Sequence, residues 1–326
     1  MRRSTLGLGV FIAIVVVAAQ ALLIPLFAGP AANLAPRDLP IAVAGPPQLS
    51  AQLSATHPGA FAITAVADAA AADAAIKDRE VYGAILVTAA GPEVHIASAA
   101  SPVVSALLTQ AAAGLGPAVP VRDVVPLDAD DARGAGFGAG FLPLAITSLL
   151  AGVLIFLLVR GRFARLFALV TFAVLAGLAS AAVLQYWLGI LPGDYLTVAG
   201  ALGLFTLAVA GAMTGLGAVF DRAGLALGAI ALFLVGNALS GISAAPQLLP
   251  QPWGAVGQAL PIGAGGTLLR SAAYFDGRGA SAAITVLAAY VLGGLLLVLL
   301  GRRGLATRTA PATEATGNRP DLVPAH

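Results

Sequence analysis

Long apolar runs separated by short polar breaks fill most of this chain, at residues 6–27, 141–159, 166–188, 196–220, 223–242 and 280–300. A helix that crosses a bilayer needs about 20 mainly apolar residues, and each run comes close to that or exceeds it. The breaks differ in chemistry. Arg160, Arg162 and Arg165 separate the second run from the third, Pro192-Gly193-Asp194 the third from the fourth, and Asp221-Arg222 the fourth from the fifth. The pattern predicts a polytopic α-helical membrane protein with six transmembrane helices. Arg2 and Arg3 precede the first run, as in a secretory signal, but a cleaved signal carries an apolar region of only about 7–15 residues. Gly29-Pro30 is also a poor cleavage context, so residues 1–28 are read as a retained anchor.

Residues 29–140 have a different rhythm. Their apolar stretches are short: strands are predicted at 39–44, 61–66, 81–88, 93–97 and 119–125, and helices at about 47–55, 67–79 and 102–114. Strands alternating with helices indicate a small α/β layer fold, inserted between the first two spans. Asp128, Asp130 and Asp131, then Gly134, Gly136, Gly138 and Gly140, lead into the second run. A carboxylate cluster is the chemistry of a divalent-cation site and also of a solvated linker. The linker is favoured, with the glycines as a flexible junction, and the second span is expected to begin near Phe141. Residues 141–300 form the remaining five-helix domain, followed by a disordered cytoplasmic tail at 301–326.

Charge sets the expected orientation. Arginines concentrate in short cytoplasmic loops. An inside N-terminus collects Arg2, Arg3, Arg160, Arg162, Arg165, Arg222, Arg302, Arg303 and Arg308 on one side, and leaves the loop around Asp194 without one. Both termini are therefore expected in the cytoplasm and the α/β domain outside it, with Tyr186, Trp187 and Tyr195 at the outer interface. Only 10% of the 326 residues are charged and 59% are hydrophobic, against about 25% charged in a soluble domain. One lysine against sixteen arginines suggests a bacterial, GC-rich source and so a plasma-membrane location. Membrane lipid is the expected surrounding; nothing suggests nucleic acid.

The chain has no cysteine, which excludes disulfides and thiolate metal sites. Lys77 lacks the glycine-rich lead-in of a phosphate loop, and no Gly-x-Ser-x-Gly or His-Glu-x-x-His occurs. His57, His95 and His326 are far apart along the chain. No enzyme activity, cofactor or metal is expected. The span interiors contain no ionisable residue, although proton relays and ion pathways place one there. Asn237 and Gln185 are the intramembrane amides with the best claim to a pathway or helix-contact role, while Gly211-x-x-x-Gly215 and Gly224-x-x-x-Gly228 permit close helix approach. Residues 243–278 hold Pro246, Pro250, Pro252 and Pro261 and are too broken for a span. They read as a re-entrant or interfacial hairpin anchored by Trp253 and Tyr274. Arg270 on it faces either a pathway or, preferentially, lipid headgroups.

One span, an outer α/β domain and five further spans resemble the type-2 ABC-transporter permeases, and among them the phage-infection-protein (YhgE/Pip) kind. Arg37-Asp38-Leu39-Pro40-Ile41-Ala42-Val43, Asp78-Arg79-Glu80-Val81-Tyr82-Gly83-Ala84 and Leu260-Pro261-Ile262-Gly263-Ala264-Gly265 carry the likeness. The resemblance implies a homodimer and a role linked to export, with energy from a separate cytoplasmic ATPase subunit. Arg160, Arg162 and Arg165 are then the candidate docking surface, with Asp221-Arg222 or the 302–308 tail as alternatives. The alternative is a non-transporting membrane protein whose outer domain binds a partner or assists cell-envelope assembly.

Overall fold

The computed structural model describes residues 2–116 and 119–301. Arg302, Arg303, Arg308, His326 and the expected tail lie outside them. Helix α1 (Arg2–Ala32) leads into a five-stranded sheet formed by β1 (Leu39–Ala44), β2 (Phe61–Ala65), β3 (Gly83–Thr88), β4 (Gly91–Ile96) and β5 (Val121–Asp123), in the order β2-β1-β3-β4-β5. Three pairs are parallel and β3–β4 is an antiparallel hairpin. The helices α2 (Pro47–Thr56), α3 (Ala69–Lys77) and α4 (Pro102–Leu115) make the parallel crossovers, as parallel pairing requires. Asp68 caps α3 by accepting from Ala71 N–H at 2.8 Å, and Ser101 caps α4 by accepting from Val104 N–H at 3.2 Å.

Alternation along β1 divides the core into two faces. Ala42 and Ala44 pack with Ala72 and Ile76 of α3, while Leu39 and Ile41 pack with Val104 and Leu108 of α4. Both faces are completed by residues from the far end of the chain: Phe275 joins the α3 face, and Ala244, Ala245 and Leu248 join the α4 face. The sheet layer therefore completes its core with residues that follow Leu239 in the chain.

Among the described residues, five helical runs are long and apolar enough to cross a bilayer: Gly7–Ala32, Ala135–Leu158, Arg162–Trp187, Tyr195–Leu239 and Ser281–Leu300. They form α1, α5 (Ala135–Leu158), α6 (Arg162–Ala182), α7 (Tyr195–Gly228) with α8 (Gly236–Leu239), and α11 (Ser281–Leu300). Several such helices make this a membrane-embedded helical protein. Five-residue and seven-residue π stretches extend α6 and α7. The 45-residue run Tyr195–Leu239 covers two of the predicted spans. Asp221 interrupts it with φ 55° and ψ −136°, well outside helical geometry. In a straight helix Met213 and Gly228 would stand about 22 Å apart. Instead Met213 Sδ closes on Gly228, and Leu232 packs with Ala212 and Met213. The chain doubles back at Asp221.

Glycine supplies the close approaches that the sequence suggests. A Cβ on Gly215 would lie 2.5 Å from the Gly294 carbonyl oxygen, so α7 and α11 touch backbone to backbone.

The junction ahead of α5 differs from expectation. Gly136, Gly138 and Gly140 are helical, and α5 begins at Ala135 rather than near Phe141. Asp131, buried at 8% exposure, accepts from Gly136 N–H at 2.9 Å and Phe137 N–H at 2.8 Å. A carboxylate on these donors suits the positive end of the helix, and its cap replaces the expected flexible linker. Asp131→Ala is expected to lower stability by about 2 kcal/mol, because two buried donors lose their acceptor. Thermal melting of the detergent-solubilised chain checks it; an unchanged melt would show that the cap contributes nothing.

Candidate binding cleft

The loop 243–278 folds into a short turn and two helices, α9 (Trp253–Gln258) and α10 (Pro261–Tyr274). Helix α10 is buried almost throughout, with Ile262, Leu268 and Leu269 in the same core as Phe141, Leu202 and Phe205 of the bundle. The α/β layer sits on this platform. Arg37 donates through its guanidinium to Leu248 O at 2.8 Å, and its N–H to Gln247 O at 3.0 Å. Ala35 N–H also donates to Leu248 O, at 3.0 Å. On the other side Arg278 pairs with Asp78 at 2.7 Å.

Between these contacts lies a cleft of about 390 Å³, lined by Pro40, Arg79, Glu80 and Tyr82 of the α/β layer and by Gln247, Gln251, Ala255, Gln258 and Thr267 of the platform. Its polar groups are tightly organised. Tyr82 O–H donates to Gln247 Oε1 at 2.9 Å, and Thr267 O–H donates to Gln258 Oε1 at 2.7 Å. Gln258 in turn donates to Ser240 O at 3.0 Å. Arg79 donates to Thr267 O at 3.0 Å and stacks 5.1 Å over the Phe275 ring. Its φ of 60° is uncommon for a residue with a Cβ. That turn, directly after α3, aims the side chain across the junction instead of along the helix. Burial lowers the pKa of Arg79 and raises that of Tyr82, as desolvation penalises each charged form.

The structure redistributes the residues singled out from the sequence. Arg270 is buried inside the protein and not turned out to headgroups. It is only 7% exposed, stacked 4.5 Å over the Phe137 ring, and donates to Ile242 O at 3.1 Å. The reason is its position on the buried face of α10, one turn beyond Thr267. Tyr274, expected as an interfacial anchor, instead donates its O–H to Ile190 O at 3.2 Å; Trp253 is exposed as an anchor would be. Arg165 is no free docking residue. Buried over the Phe156 ring, it donates to Val159 O and Phe156 O, both at 2.9 Å, and so closes the carbonyl end of α5. Arg160 and Arg162 are exposed.

Gln185 sits in the π turn after α6 and donates to Pro192 O and Gly193 O at 3.1 Å each, which makes it a loop brace. Asn237 is half-buried in α8, and its carbonyl accepts from Ser240 O–H at 3.0 Å. Tyr186 and Trp187 are strongly exposed, whereas Tyr195 donates to Leu178 O at 2.9 Å. The cleft thus gathers none of Asn237, Gln185, Arg160, Arg162 or Arg165.

Two features escaped the sequence. One is the cleft itself. The other is a network around one buried histidine in the sheet layer: His95, 1% exposed, lies 2.6 Å from Asp73 and 3.4 Å from Glu93, and the exposed Arg122 reaches Asp73 at 3.2 Å. Among the described residues no three His, Cys, Asp or Glu side chains are arranged to hold a metal ion. No family model, curated protein or solved structure matches this chain.

Proposed function

We propose that this chain is a bacterial plasma-membrane protein that binds a ligand or partner at its outer face and does not itself transport. The observation that carries this reading is the polar cleft between the sheet layer and the α9–α10 platform, a concave site where convergent polar groups meet at a junction of two layers. A ligand held there touches both halves at once.

Six crossings with both termini in the cytoplasm fit this arrangement, and parity supports the count. Residues 244–248 complete the core of the sheet layer, so both lie on one side of the bilayer. An even number of crossings must separate them. The runs Ala135–Leu158 and Arg162–Trp187 supply two. Two more from Tyr195–Leu239, one on each side of the reversal at Asp221, keep the number even. The arginine bias puts the layer outside. Because the chain has no cysteine, Ala255→Cys gives a clean check. A membrane-impermeant maleimide should label it in intact cells, and should label Asp221→Cys only after permeabilisation. The opposite pattern would invert the topology.

A second reading, the membrane subunit of an ABC-type exporter with a separate ATPase and a homodimeric assembly, draws on the order of the elements. Of its candidate docking arginines at 160–165, Arg165 is committed to Val159 and Phe156, which leaves Arg160 and Arg162 exposed there. The two readings separate in cells. Ala255→Trp, which fills the cleft, should reproduce the deletion phenotype at normal protein level, while Arg160→Gln with Arg162→Gln should not. If the arginine pair is required and the filled cleft is harmless, the exporter reading replaces the one proposed here.

A further inference from the structure

Two guanidiniums stand at this junction with no carboxylate on either, Arg270 buried and Arg79 half-buried. Among the described residues, Arg79 and Arg270 belong to no ion pair. Asp78, next to Arg79 in sequence, is already taken by Arg278. Both arginines rest on aromatic rings and single carbonyl oxygens. The Nε of Arg270 is buried without any hydrogen-bond partner. A buried charge that lacks a counter-charge costs free energy, and a second charge of the same sign nearby adds to the cost. The two are close enough to feel each other. Burial first, and the Arg79 charge second, push the Arg270 pKa down to about 10.

The remaining groups that face the cleft are neutral or sit at its edge. Tyr82 and Thr267 bring hydroxyls to its lining, and Gln247 and Gln251 bring amides. Glu80 is exposed at the rim. A rim carboxylate repels a polyanion and tolerates a ligand with one or two negative charges.

We infer that the cleft is an anion-recognition site, which takes a small ligand bearing a carboxylate or phosphate group on Arg79, with Arg270 supplying further positive charge behind it. Guanidinium is the side chain whose fork of donors matches those oxyanions. The neutral hydroxyls and amides then read the rest of the ligand. This inference rests on the binding role proposed above and names its chemistry. A free solute and a lipid or envelope-polymer headgroup offer the same oxyanion, and the experiment distinguishes them.

The full chain, purified into nanodiscs of phosphatidylcholine, would be melted in inorganic phosphate and in chloride at equal ionic strength. The wild type is expected to melt higher in phosphate, as a ligand that binds only the folded form requires. Arg79→Gln should weaken the apparent phosphate affinity by about tenfold or more. Arg79→Lys, which keeps the charge, should retain part of the response. Replacing part of the lipid with phosphatidylglycerol gives the second arm. If a headgroup is the natural source, the wild type melts higher in that lipid without phosphate and Arg79→Gln does not; if a solute is the source, only phosphate acts. A wild type indifferent to both overturns the inference, and so does an Arg79→Gln chain that responds like wild type. The cleft-filling Ala255→Trp separates the two failures. If it abolishes a phosphate response that Arg79→Gln preserves, the cleft binds ligand but not through its arginine; if it abolishes nothing, the binding role fails as well.

Discussion

Leu248→Asp is expected to detach the α/β layer from the helical bundle while leaving the bundle folded. Leu248 is fully buried, and its neighbours Leu39, Ile41 and Val94 are residues of the sheet. Truncating such a leucine to alanine costs about 2–5 kcal/mol. An aspartate adds an unpaired buried charge, which raises the loss to about 5 kcal/mol or more. The polar bonds of the junction, Arg37 to Leu248 O and Asp78 to Arg278, do not offset a penalty of that size. The exposed ion pair contributes at most about 1 kcal/mol. Limited proteolysis reads the outcome. Cleavage near Arg37 and in the loop around Arg278 should accelerate strongly, while a melt reporting on α5–α11 changes little. If those sites remain as resistant as in the wild type, hydrogen bonds rather than the shared core hold the two halves together.

A second large effect separates two adjacent glycines. A Cβ on Gly294 would stand 2.5 Å from Gly211 C and 2.6 Å from Ala212 N, whereas one on Gly293 meets nothing within 4 Å. Both contacts at Gly294 are to backbone, which cannot swing aside. Gly294→Ala therefore has to push α11 away from α7 and is expected to cost about 3 kcal/mol, the upper end for overpacking. Gly293→Ala should be neutral or slightly stabilising, since alanine is the better helix former. The yield of monodisperse protein and its melting temperature in detergent report both. Equal behaviour of the two variants would mean that the α7–α11 seam can widen freely.

The strands were legible because they are short apolar runs bounded by Pro, Gly and Asp. β1 occupies the expected 39–44, and β2 ends one residue short of expectation. β5 is shorter than expected because only Val121–Asp123 finds a partner on β4. What resisted reading has one common cause. Arg79 meets Thr267, Arg37 meets Leu248, and Asp73 meets His95, all through the tertiary fold, and periodicity carries no information about such pairs. Arg270 looked like a headgroup contact because an arginine on an apolar broken loop usually is one. Its burial comes from Phe137 of α5 and the Ile242 carbonyl, which meet it only in the folded chain. The glycines before α5 looked like a hinge because glycine favours loops. Asp131 outweighs that preference by holding the first turn of the helix from five residues upstream. An aspartate shortly before an apolar run was the available signal.

The shared core also sets a timetable. Ribosomes add about 5–20 residues per second, and roughly 125 residues separate the end of β5 from Leu248. For roughly 6–25 s of synthesis, the sheet layer has all its strands but lacks the residues that close its α4 face. During that interval Leu39, Ile41 and Val94 lack Leu248 as a partner while α5 to α8 are made. Final locking of the two halves therefore comes late in biogenesis, after α8 has been made.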